Sequence, residues 1–218
     1  PVLTVGEGVP VSELTPNGHA TLPPARYTEA SLIKKLEELG IGRPSTWASI
    51  IQTVQDRGYV WKKGQALVPT WTAFAVVGLL EKHFDELVDY AFTARIEEDL
   101  DAIARKERQK QDWLQHFYFG DETDQMPGLK RLVETNLDQI DAAEINTFPL
   151  GDDEDGNLVI VKPGKYGPYV KRGEDTASVP DTMTPDELTL EVALKLLAAP
   201  KNDAPIGELD GYPVFAKN

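Results

Sequence analysis

Between Thr28 and Pro69 the spacing of apolar residues changes twice. Leu32, Ile33, Leu36 and Leu39 recur every three or four positions, with Lys34, Lys35, Glu37 and Glu38 on the other sides, which predicts one amphipathic helix. Thr28 suits its N-cap, Ser31 adds a second local acceptor, and Gly40 and Gly42 end it. Trp47, Ile50, Ile51 and Val54 mark a second helix that closes at Arg57-Gly58. Pro44 fits a first helical turn, so Gly-Arg-Pro-Ser-Thr reads as the start of that helix. Two β-prone runs, 59–62 and 66–68, then flank Lys63-Gly64 as a hairpin would. Helix, turn, helix and hairpin is the winged-helix order.

Further along, Trp71, Phe74, Val77 and the run from Leu80 to Leu87 predict a mostly apolar helix with its aromatics in the core. Phe92, Ile96, Leu100 and Ile103 predict another, over an outer face in which Glu97, Glu98, Asp99 and Asp101 are solvated. Trp113, Leu114 and Phe117 predict a third. Residues 121–127 read as a linker, being polar with proline and glycine following. From Gly128 a helix carrying Leu129, Leu132, Val133, Leu137 and Ile140 precedes a β-rich stretch, with a hairpin turn at Asp155-Gly156 ahead of the strand 158–162. Pro185, Asp186 and Glu187 suit the start of a last helix with its stripe at 188–197. The expected fold is α+β: a mainly helical, winged-helix-like domain at 13–120, then a small α+β domain at 128–210 with an antiparallel sheet. Residues 1–12 read as the tail of a strand from a preceding domain.

Candidate chemistry gathers in two places. At the start of the second helix, first-turn amides, the helix dipole, the Ser45 and Thr46 hydroxyls and the Arg43 guanidinium suit a phosphate oxygen. Each has a plainer use, since Ser45 and Thr46 serve as caps and Arg57 as a helix-end cation, while Lys62 and Lys63 are ordinary turn residues. In the second module, Lys162, Lys165, Lys171 and Arg172 are interleaved with Tyr166 and Tyr169 and contain no acid among them. Aromatics among cations stack bases while holding phosphates, each stacked base contributing roughly 1 to 3 kcal/mol. The Gly-Pro pair between the two tyrosines sends their rings to different sides, which leaves one of them for packing.

Net charge is −14, the opposite of a basic nucleic-acid footprint. Its distribution is uneven: residues 26–63 hold seven Lys or Arg against four Asp or Glu, and residues 121–218 hold nine against twenty. With a Debye length of about 10 Å in moderate salt, the local field governs a local contact. The chain has no cysteine, which excludes disulfides and thiolate metal sites and fits a reducing compartment. Asp152, Asp153 and Asp155 read as a solvated turn, and His83 and His116 as packing or surface residues, so no metal site is expected within the chain.

Residues 23–60, Pro-Pro-Ala-Arg-Tyr-Thr-Glu-Ala-Ser through Arg-Pro-Ser-Thr to Asp-Arg-Gly-Tyr-Val, resemble the segment after the catalytic-tyrosine domain in bacterial type IA DNA topoisomerases, and the likeness covers most of residues 1–120. One departure is Trp47, where the family commonly has tyrosine. The run Gly-Lys-Tyr-Gly-Pro-Tyr-Val-Lys-Arg-Gly at 164–173, with residues 177–200, resembles the first carboxy-terminal repeat of the actinobacterial enzymes, and 205–218 resembles the start of a truncated next repeat.

The resemblance implies single-stranded DNA as partner, with Lys34, Arg43, Ser45, Thr46 and Arg57 at backbone-contacting positions and Lys165, Tyr166, Tyr169, Lys171 and Arg172 as the second group. It implies transesterification in the parent: a tyrosine cleaves one strand, holds its 5′ end, and reseals it after strand passage, with magnesium bound by a separate domain. None of the seven tyrosines here lies in the setting of that nucleophile, so the chain alone is expected not to relax DNA, to need no cofactor of its own and to have no catalytic residue. Other expected partners are the remainder of the topoisomerase chain and transcription machinery, in a cytoplasmic, nucleoid-associated setting without membrane contact. The alternatives are a winged-helix regulator of duplex DNA and an acidic protein-interaction module. Against the regulator, the second helix offers few outward Arg, Lys or Asn side chains for major-groove edges.

Overall fold

The computed structural model describes residues 4–121, 128–199, 207–209 and 212–214. Residues 4–28 form no helix or strand, including 4–12 where the end of a strand was expected. Near the end of this segment the Tyr27 carbonyl accepts from the Leu67 amide at 2.7 Å, which lays the chain along the hairpin that follows.

Helix α1 (Glu29–Leu39) begins with a reciprocal cap, in which Thr28 and Ser31 satisfy each other's backbone amides, and ends at Gly40 in the left-handed conformation. Helix α2 (Trp47–Asp56) starts later than its Pro44 suggested, because residues 44–46 form a turn instead. The Trp47 indole closes this corner. It folds back to donate to the Ile41 carbonyl at 2.9 Å and lies against Gly42, where a Cβ would fall 2.9 Å from the ring. Gly42 also has φ +70°, so both space and backbone require glycine there. Ile51 is the fully buried member of the α2 stripe, while Ile50 is exposed.

Strands β1 (Val60–Lys63) and β2 (Ala66–Pro69) form the expected antiparallel hairpin, its tip at Gly64-Gln65. Helix α3 (Trp71–His83), capped by Thr70, stops at Phe84, so the single long helix expected through Leu87 is two, with α4 (Asp85–Val88) after the break. Phe84 is buried at that corner. Helices α5 (Tyr90–Ala104) and α6 (Lys110–Phe119) follow the predicted stripes. The expectation that the aromatics of α3, α5 and α6 are core holds for Phe92 but not for Phe74, and Val77, Leu100 and Leu114 on the apolar stripes are, like Phe74, 44–47% exposed.

The expected linker, apart from Asp121, lies outside the described residues. In the second module, α7 (Leu129–Asn136), a 3-10 turn at Leu137–Gln139 and a short α8 (Ala142–Ile145) lead into a four-stranded antiparallel sheet in sequential order. Its strands are β3 (Phe148–Asp152), β4 (Leu158–Gly164), β5 (Gly167–Arg172) and β6 (Asp175–Ser178). Helix α9 (Leu190–Ala198) covers one face, with Val159, Val161, Val170, Val179, Leu188 and Ala193 forming the buried cluster. α9 starts from Thr189, whose hydroxyl accepts from the Val192 amide, not from Pro185 as expected. Residues 184–187 instead make a turn anchored by buried Thr184. β7 (Gly207–Leu209) and β8 (Tyr212–Val214) pair as a small antiparallel hairpin.

The two modules touch through side chains. Trp71, the first residue of α3, packs on the second module's core with its ring 5.1 Å from that of Phe148. Asp186 binds Arg26, and Glu187 binds Lys63 at 2.6 Å, so the 184–187 turn grips the first module beside its hairpin tip. Lys82 and Glu144 add a third pair at 2.7 Å.

Candidate nucleic-acid interface

Arg43 leaves the α1–α2 corner and reaches α5. Its Nε and Nη2 donate to Asp101 at 3.1 and 2.8 Å, its Nη1 donates to the carbonyls of Gly42 and Gly40, and Glu97 stands 3.9 Å away. Glu97 also accepts from the Gly42 amide at 3.0 Å. The Asp101 hydrogen bond raises the hold of the guanidinium on its proton still further. Arg43 is therefore a clamp between the corner and α5, with its side chain 33% exposed.

The acids of α5, expected to be solvated, are exposed at Glu98 and intermediate at Glu97, Asp99 and Asp101, and each also meets a partner. Glu97 and Asp101 hold the corner, Asp99 accepts from the Trp113 indole at 2.8 Å and pairs with Arg108, and Glu98 binds Arg105 at 3.3 Å. Helical spacing told where these carboxylates sat on α5 but not which cation would meet each.

Thr46 closes its own turn, its hydroxyl accepting from the Arg43 amide at 3.0 Å and lying 3.1 Å from the Arg43 carbonyl. It makes no side-chain bond to the first-turn amides of α2, and Ser45 is exposed with no hydrogen bond. Those amides are left without a side-chain cap, the condition in which a helix N-terminus receives an anion. Lys34 and Arg57 are exposed and meet no side-chain partner among the described residues. The structure brings Arg43 and Thr46 together, while Lys34 and Arg57 stand on other parts of the surface.

The hairpin cations are paired: Lys62 binds Glu29 at 2.7 Å, as Lys63 binds Glu187. The Lys63 hydrogen bond holds the Glu187 carboxyl well below the usual range, at about 2.

The sheet presents its cations differently. Val159, Val161 and Val170 point under α9, so strand alternation places Ile160, Lys162, Tyr169 and Lys171 on the opposite face. Register sets Lys162 opposite Tyr169 and Lys171 opposite Ile160, with Ser178 and Thr176 beyond them on β6. Lys162 and Lys171 have no carboxylate partner among the described residues. The two tyrosines separate as the Gly-Pro pair suggested. Tyr166, at the β4–β5 tip, is 93% exposed with the Lys165 ammonium 5.4 Å from its ring centre. Tyr169 is half-buried against Gly164, where a Cβ would stand 3.0 Å from the ring. Arg172 turns away to Asp153 at 3.3 Å and Asp175 at 3.5 Å.

The hairpin turn expected at the Asp152, Asp153 and Asp155 run forms with Asp152 and Asp155 exposed, but the Asp153 carboxylate organises it, accepting from the Asn157 and Asp155 amides, and these bonds, led by Asn157, lower its pKa. Among the described residues no three His, Asp or Glu side chains are grouped to hold a metal ion, and no helix is long and apolar enough to cross a membrane.

A helical segment with a β-hairpin, followed by a small sheet module with a basic, aromatic tip, is a pairing that two family descriptions match in turn. One, "DNA topoisomerase", covers residues 1–115, and the other, "Topoisomerase C-terminal repeat", covers residues 152–205. The chain belongs to the bacterial type IA DNA topoisomerase family. In particular it is similar to DNA topoisomerase 1 of Mycobacterium leprae, 54% identical over 235 aligned positions, and to that of Streptomyces coelicolor, 50% identical over 241. Both alignments cover 100% of this chain and 25% of the relative, so the chain spans about a quarter of their length. Among solved structures, full-length topoisomerase I from Thermotoga maritima matches with a TM-score of 0.55 and 32% identity, covering 75% of this chain and 26% of that one.

Proposed function

We propose that this chain is a strand-holding portion of a type IA topoisomerase and binds single-stranded DNA. The observation that carries this reading is the outer face of the β3–β6 sheet, where Lys162 and Lys171 lie beside Tyr169 without a carboxylate partner, next to the exposed Lys165–Tyr166 tip. Unpaired cations hold the backbone of a strand, and an exposed ring stacks its bases. Arg172 supports the strand end through Asp153 and Asp175. At the other module Lys34, Arg57, exposed Ser45 and the uncapped start of α2 offer further backbone contacts. Arg43 and Thr46 shape that corner.

The parent enzyme, on this reading, relaxes negatively supercoiled DNA through a covalent 5′-phosphotyrosine formed outside this chain. Magnesium belongs there too. The chain by itself binds without cutting.

The duplex-regulator reading loses support from the hairpin, because both of its lysines are paired within the protein. Filter binding tests the choice. Single-stranded DNA is expected to bind more tightly than duplex of the same sequence, with affinity falling steeply as salt rises. Equal or tighter binding of duplex would overturn the proposal.

A further inference from the structure

A cleft of about 200 Å³ opens at the seam between the two modules. From the first module, Gly58, Trp61 and Trp71 line it. Gly164, Gly167 and Asp181 line it from the second, and most of the other wall residues are prolines. Sites for drug-sized ligands start at about 300 Å³, so this one suits a single heterocycle. Proline and tryptophan walls have little side-chain freedom to lose, which makes the cleft a preformed one.

Two features say what kind of heterocycle. First, residues next to the lining in sequence include two cations that meet no carboxylate among the described residues. Arg57 precedes Gly58, and Lys165 with Tyr166 lies between Gly164 and Gly167. In sequence, then, an arginine stands next to one wall residue and a lysine–tyrosine tip joins two residues of the other wall, and the two come from different modules. A strand crossing the seam would meet the Lys165–Tyr166 tip beside a base-sized hollow. Second, the carboxylate of Asp181 lies over the β4–β5 turn, its Oδ1 3.6 Å from where a Cβ on Gly167 would be, and it makes no hydrogen bond or ion pair. A carboxylate in such a hollow accepts from an exocyclic amine, as Asp and Glu do from cytosine N4, and faces the carbonyl oxygens of thymine unfavourably.

We propose that this seam cleft takes one base of the bound strand and that Asp181 selects a base bearing an exocyclic amino group over thymine. The proposal rests on the single-strand reading above and adds a site and a preference to it. Both modules must be docked for the cleft to exist, so the bound strand also ties them together.

Fluorescence anisotropy with the whole chain separates the possibilities, using labelled oligo(dC) and oligo(dT) of equal length near pH 8. The expected result is on the order of fivefold tighter binding of oligo(dC), the lower end of what one good base contact contributes. Asp181→Asn and Asp181→Ala should each abolish that preference while leaving oligo(dT) affinity within about twofold. Asp181 is exposed and unpaired, so both variants are expected to fold. Equal affinity for the two oligomers, or a preference that survives both substitutions, overturns the cleft and leaves strand binding standing. Failure of oligo(dT) and oligo(dC) alike to bind overturns both.

Discussion

The cations of the first module's hairpin and corner contrast with those of the second module's sheet. Arg26, Arg43, Lys62 and Lys63 each meet a carboxylate, two of them across the module boundary. Among the described residues Lys162, Lys165 and Lys171 meet none. By count of charge the first region is the basic one and the second is acidic. By availability the order reverses, and availability is what a phosphate senses, because a paired cation must first lose its partner. The same contrast reconciles a charge of −14 with strand binding: several of the acids neutralise the protein's own cations and leave the sheet face clear.

Paired mutations would break the contrast most sharply. Replacing Lys162 and Lys171 together with alanine is expected to lower single-strand affinity about tenfold or more, and to reduce the salt-dependence slope by about one for each lysine. The mirror variant, Lys62 and Lys63 to alanine, should leave that slope nearly unchanged. Equal losses from the two pairs in a salt titration would show that pairing in the free protein does not govern availability.

A smaller effect is expected at Arg43. Its bonds to Asp101 and to two carbonyls predict that Arg43→Ala lowers folding stability by about 1 kcal/mol, reduced from the value for a buried charged bond by its partial exposure. Urea denaturation measures this, and Asp101→Asn should reproduce part of it. Weaker strand binding at unchanged stability would return Arg43 to the group of free cations.

The smallest effect concerns acid. Glu187 has a folded pKa of about 2, below the ordinary value of 4.5, so its contribution is complete above about pH 4.5 and is lost as pH falls toward 2. Acid titration of the wild type should therefore show a contribution in that window that Glu187→Gln lacks, read as a narrowing difference in Tm between the two proteins. Parallel curves from pH 6 to 2 would remove Glu187 from the module contact.

Local features of this fold were legible in the sequence, and pairings across it were not. Thr28 announced α1, Gly64 the hairpin, and the spacing of Phe92, Ile96, Leu100 and Ile103 announced α5, because caps, turns and periodicity act over a few residues. The start of α9 was misplaced because Pro185-Asp186-Glu187 and Thr189 are both good helix openings. Tertiary contacts decided between them by drawing Asp186 and Glu187 to Arg26 and Lys63. Strand β6, Asp175–Ser178, carries little intrinsic β preference and owes its form to the neighbouring edge of β5. In the candidate site, the exposed and packed tyrosines were foreseeable from Gly167-Pro168. The capture of Arg43 by Asp101, 58 residues away, was not.

Trp71 gives the module boundary a practical meaning. Its indole is covalently part of the helical segment yet packs, half-buried, beside Phe148 against the sheet module's core. A polypeptide stopped at residue 120 would carry a greasy ring into solvent, and one begun at residue 128 would have an unfilled notch. Studied apart, the halves are expected to clump and loosen more readily than when joined.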